Sequence, residues 1–172
     1  MIIRRALSVA PLIALSFAVL PVAWASQPGL LPAAADLHAD GVQAARLRKP
    51  IVILFSLPDC SYCAVVRKNY LAPLLRVPAA TRPIIREVDI SADTRVVGFQ
   101  REALSHRELA AAYRVRVAPT VLFLDGSGKP LAEPIVGGDV TGLYGGYLDN
   151  AFAEAARKLG LNKAVDTEGD KQ

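Results

Sequence analysis

Hydrophobic positions along the chain fall into short blocks whose period changes from one block to the next. Ile51-Val-Ile-Leu-Phe55 is a continuous apolar run rich in β-branched residues, as expected of a strand buried on both faces. It breaks at Pro58-Asp59, and from Ala64 to Leu71 the pattern turns helical. Upstream, Ala33 to Arg48 can form a helix with Leu37, Val42, Ala45 and Leu47 toward one side, weakened by Gly41 and ended by Lys49-Pro50. Downstream, Ala72-Pro73 ends or kinks the second helix, and Pro78 and Pro83 mark a loop. Ile84 to Ile90 alternates as a second core strand, with Val88 and Ile90 sharing a face. Ser91 to Arg101 has no clear period and reads as a surface excursion with room for a short helix. Ser105-His-Arg-Glu108 matches a capping box in front of a brief helix over Leu109 to Tyr113.

The last third is a strand pair and a helix. Pro119 stands directly before Thr120 to Asp125, where its missing N–H suits the start of a strand. Gly126 to Pro130 turns the chain, and Leu131 to Val136 pairs back antiparallel before Gly137-Gly138 closes it. Thr141 to Leu159 then places Tyr144, Leu148, Ala151, Ala155 and Leu159 on one helical face. The order predicts an α/β fold: a small mixed four-stranded sheet flanked by helices. Its first two strands, joined through a helix, are parallel, and its last two form a hairpin.

A length of 172 residues with 52% apolar and 21% charged side chains fits one globular domain. Residues 1–25 read as a secretory signal peptide, with Arg4-Arg5, an apolar stretch from Ala6 to Leu20, and Ala23-Trp-Ala25 as the cleavage site. An uncleaved membrane anchor is the alternative, although the apolar run is short for a span. Removing Arg4 and Arg5 reduces the formal charge from +4 to +2, and no basic run interleaved with aromatics exists, so nucleic acid is excluded as a partner class. Residues 26–49 form a lead-in and first helix, 50–160 the main domain, and 161–172 a polar, disordered tail.

The chain has two cysteines, Cys60 and Cys63, at the strand-to-helix turn. Unpaired N–H groups at a helix start favour a thiolate, and the second sulfur folds back within reach of the first. An exported protein can use such a pair as a structural staple or as a redox switch. Two-residue spacing closes too small a loop to restrict the unfolded chain much, which favours the switch. His38 and His106 have no ligating neighbours in sequence and are expected at the solvated surface; no metal or cofactor is expected.

Taken together, the strand running into Cys60-Ser-Tyr-Cys63, the segment Val117-Ala-Pro119-Thr-Val-Leu-Phe123, and Gly137-Gly138 before the last helix resemble the thioredoxin superfamily from about Pro50 to Leu159. Within it the chain is most similar to secreted reductases of the kind that serve cytochrome c maturation or sulfur oxidation. The resemblance implies a periplasmic thiol–disulfide oxidoreductase acting on protein disulfides or dithiols. Cys60 would be the attacking thiolate and Cys63 the resolving thiol. Pro119 would be a cis-proline facing the pair. Tyr62, the Ala118 backbone and Gly137 would line the substrate surface. A membrane thiol-transfer protein would supply electrons to a monomer. A disulfide oxidase with the same site is the alternative; a copper chaperone or a non-catalytic binding module fits less well. The chain also departs from the family. Leu54 stands where thioredoxin carries a buried acid, leaving no assigned proton acceptor for Cys63. Asp59 replaces the usual aromatic before the motif, either as a helix N-cap or as a charge opposing the thiolate, with Arg67 favouring it.

Overall fold

The computed structural model describes residues 31–161, so the signal peptide and cleavage site expected within residues 1–25, and the expected polar tail beyond Leu161, lie outside the described residues. Twelve segments of regular structure follow the expected order, with one addition. They begin with helix α1 (Leu37–Leu47) and strand β1 (Ile51–Ser56), followed by α2 (Ser61–Val65), which runs on through a π-helical stretch (Val66–Leu71) and a 3-10 stretch (Ala72–Arg76). Next come β2 (Ile84–Asp89), β3 (Arg95–Val97), β4 (Ala103–Ser105), α3 (His106–Ala112), β5 (Thr120–Leu124), β6 (Ile135–Val136) and α4 (Tyr144–Lys158).

The main sheet has the order β2-β1-β5-β6, with β1 parallel to β2 and antiparallel to β5, and β5 antiparallel to β6. All of β1 is buried, as its unbroken apolar run requires. Alternate residues divide between two cores. Val52 and Leu54 join Ile85, Val121 and Phe123 under α2 and α4. Ile51, Ile53 and Phe55 join Val88, Leu122 and Leu124 under α1 and α3. On α4, Tyr144, Leu148, Ala151 and Ala155 are the buried face, with Leu159 packed at its edge.

The addition is a two-stranded antiparallel ribbon, β3 with β4, where the excursion was expected to hold at most a short helix. The helices also differ from expectation in detail. Residues 33–36 are extended rather than helical: Ala33 bridges Glu87 on the free edge of β2, and Asp36 caps α1 by accepting from the Ala39 N–H at 2.8 Å. The buried side of α1 is Leu37, Asp40, Gly41 and Ala44, while Val42 and Leu47 are exposed. Gly41 is needed there because a Cβ would fall 2.3 Å from the Gly126 carbonyl oxygen. The second helix widens before Pro73, with the Ala72 N–H donating to the Arg67 carbonyl, because a proline ring clashes with the carbonyl four residues back. The last helix starts at Tyr144, three residues later than its pattern suggested, after a turn in which Gly142 has φ of 74°.

Candidate active site

The end of β1 delivers the chain into Leu57-Pro58-Asp59, where Asp59 takes a φ of 54°, and then into α2. Asp59 is therefore not the helix cap. Cys60 is: its sulfur accepts from the Cys63 N–H at 3.1 Å, placing sulfur against the donor end of the helix. The two cysteines are joined as a disulfide. They are unequally placed, with Cys63 at 0% exposure and Cys60 half-buried beside an exposed Tyr62.

Sheet register brings the other predicted residues to the same end. Phe55 pairs with Thr120, so the start of β5 lies beside the end of β1. The Ala118–Pro119 peptide is cis, Ala118 is half-buried and Pro119 buried. The Thr120 hydroxyl donates to the Val117 carbonyl at 2.7 Å and closes that loop on itself. The Gly137 N–H donates to the Pro119 carbonyl at 2.8 Å, with a φ of 92° that suits glycine. The glycine that packs on the motif is Gly138: a Cβ there would fall 2.7 Å from the Tyr62 ring. Cys60, Tyr62, Ala118, Pro119 and Gly137 thus share one end of the sheet.

Beneath the motif is a polar group that sequence reading missed. Ser56 at the end of β1 and Glu87 of β2 follow the parity of Leu54 and Ile85, and so face α2. The Ser56 hydroxyl donates to Glu87 Oε1 at 2.7 Å, and Arg67 Nε donates to Glu87 Oε1 at 3.0 Å and Oε2 at 2.9 Å. These bonds hold the Arg67 guanidinium above its ordinary range. Arg67 is thus committed to Glu87 rather than free to act on Cys60. A charged residue at the core-facing parity of a strand was the available signal for Glu87, and the absent acid at Leu54 was the reason to look for it.

Neither histidine is a solvated surface group. His106 is 3% exposed: Nε2 donates to the Ala34 carbonyl at 2.8 Å, and Nδ1 accepts from the Asp89 N–H at 3.3 Å. As the first residue of α3 it turns back onto the sheet, where the lead-in presents an unpaired carbonyl. His38 is half-buried, with Nδ1 donating to the Phe99 carbonyl and Nε2 accepting from Arg101 Nε, each at 3.0 Å.

The chemistry open to an accessible cysteine bonded to an enclosed one is exchange with an outside thiol or disulfide, and this places the protein among the thiol–disulfide oxidoreductases. A family model for the thioredoxin-like domain matches residues 37–141, and the chain belongs to that family. Among solved structures it is similar to a thioredoxin-fold protein from Helicobacter pylori (21% identity, TM-score 0.48, covering 66% of this chain and 81% of that one). It is also similar to a DsbH oxidoreductase (19%, TM-score 0.47, covering 79% and 95%) and to the poplar thioredoxin h PtTrxh4 (17%, TM-score 0.46, covering 65% and 85%). No curated protein matches the chain.

Proposed function

We propose that the protein is exported and reduces protein disulfides, with Cys60 attacking and Cys63 resolving. The observation that carries the assignment of roles is the unequal burial of the two cysteines. Only a half-buried residue can meet a large substrate first, and the enclosed partner is then left to displace the product. Exposed Leu57, Tyr62, Val117, Val136, Val140 and Leu143 lie in the motif, the cis-proline loop and the segment from β6 to α4, supporting a protein rather than a small thiol as substrate. The Ala118 backbone and Gly137 would meet an extended substrate strand beside Pro119. The proposed periplasmic location rests on the signal sequence in residues 1–25. An exported reductase needs electrons from outside its compartment, hence a membrane thiol-transfer partner. Its own state is taken as monomeric.

The test is trapping. Cys63→Ser should accumulate a mixed disulfide through Cys60 with a disulfide-bonded protein substrate, and Cys60→Ser should accumulate none. Adducts formed through Cys63 in Cys60→Ser would reverse the assignment. The alternative, an oxidase using the same site, is separated from the reductase by the reduction potential.

A further inference from the structure

The segment joining β6 to α4 presents two apolar side chains to solvent, Val140 at 79% exposure and Leu143 at 59%. Residues 137–143 form no helix or strand, and Gly137 and Gly142 both have positive φ. Such a loop, left free, would lose its conformational freedom each time a substrate met it, at a cost in affinity.

It is not left free. One end is fixed where the Gly137 N–H donates to the Pro119 carbonyl, and the Gly138 backbone lies against the Tyr62 ring. Asp139 then uses both carboxylate oxygens. Oδ1 accepts from the Gly142 N–H at 2.7 Å and closes the loop on itself, while Oδ2 accepts from the Tyr70 hydroxyl. Tyr70 belongs to the π-helical stretch that continues the helix of the cysteine motif. Its ring packs on that of buried Tyr144 at the start of α4, with centroids 4.9 Å apart, which fixes where the hydroxyl points. The bond to Asp139 holds the Tyr70 phenol above its ordinary pKa, so the donor keeps its proton at neutral pH. One carboxylate thus ties the loop to the helix that carries Cys63.

We propose that Tyr70 and Asp139 are positioning residues that hold Val140 and Leu143 beside Tyr62 as a preformed rim for an apolar segment of a protein substrate. Their effect runs through the loop and not through the sulfurs, so a small disulfide that never reaches the rim is indifferent to them. The role rests on the protein-disulfide reading above, whereas the tie itself is a property of the protein with no substrate present.

The test has a substrate-free arm and a kinetic arm. Tyr70→Phe removes the hydroxyl and keeps the ring, Asp139→Ala removes both acceptors, and Asp139→Asn keeps one and serves if either of the others does not fold. Amide hydrogen exchange over residues 138–143 should speed up roughly tenfold in Tyr70→Phe and further in Asp139→Ala, with β1 and β5 unchanged. In reduction of insulin, with dithiothreitol recycling the protein, KM should rise about tenfold in Tyr70→Phe at unchanged kcat. The rate constant with dithiobis(nitrobenzoate) should stay at the wild-type value. Val140→Ser/Leu143→Ser should raise the KM for insulin in the wild type, and by a smaller factor when added to Tyr70→Phe, because the rim is already loose there. A role in folding alone would raise exchange throughout the molecule or slow insulin and the small disulfide together. That result, unchanged exchange over 138–143, an unchanged KM for insulin, or strictly additive effects would overturn the proposal. A wild type that protects the loop but does not reduce insulin would overturn the proposed function, and the rim with it.

Discussion

Breaking the Cys60–Cys63 bond without changing the sequence is the perturbation that most directly links stability to direction of electron flow. The cysteines are three positions apart, and for so short a loop the chain-entropy relation gives about 2 kcal/mol of stabilisation to the oxidised form. With a urea slope of about 2 kcal/mol/M, the oxidised protein should unfold at roughly 1 M higher urea than the reduced protein. A thermodynamic cycle converts the same difference into potential: about 2 kcal/mol makes the folded pair roughly 40 mV more reducing than the same pair in the unfolded chain. The assay is paired urea unfolding followed by circular dichroism, once with the disulfide intact and once in excess reductant, checked against Cys60→Ser/Cys63→Ser. A reductase is stabilised as the disulfide, whereas a strong oxidant is stabilised as the dithiol. If the reduced protein proves equally or more stable, the reasoning fails.

Further predictions concern the scaffold around the site. Asp40 is buried against Arg86, and burial raises its pKa above the ordinary carboxylate value despite the ion pair. Its contribution to stability is therefore full below the ordinary carboxylate pKa and is lost as pH rises through the higher folded value. Asp40→Asn should remove that loss, and urea unfolding of both proteins across acid and neutral pH checks it. His106→Ala should destabilise by about 1–3 kcal/mol by leaving the Ala34 carbonyl and Asp89 N–H without partners, measurable as a lower urea midpoint. Gly137→Ala should cost about 1–2 kcal/mol through its positive φ, and any larger effect would appear in turnover because Gly137 is bonded to Pro119. Ser105→Ala should cost about 1 kcal/mol in the same unfolding assay by opening the capping box of α3.

Elements whose pattern was local were legible in the sequence. β1 stands out because Ile51 to Phe55 is an unbroken apolar run, α4 because its buried face repeats regularly, and α3 because Ser105 and Glu108 cap it together. Four of the five residues from Cys60 to Gly137 that now share one end of the sheet had been picked out by family motifs, and Tyr62 by its place inside one. The unread parts depend on distant partners. β3 and β4 have three residues each, too few for alternation to show. The fate of His106 is set by the Ala34 carbonyl, 72 positions away, and that of Glu87 by Arg67, 20 positions away. Asp36 was a readable cap for α1 that the apolar pattern upstream of it obscured. Gly41 looked like a weak point in a helix because sequence gives no sign that Gly126 passes against it.

The central claim, a reductase working through Cys60 and Cys63, is tested most directly by the equilibrium reduction potential of the pair. Purified protein would be titrated against a dithiothreitol couple, and the redox state read by thiol alkylation. A potential near that of thioredoxin, roughly −270 mV, is the result predicted here. A potential near −120 mV, characteristic of a disulfide donor, would contradict it and make the protein an oxidase.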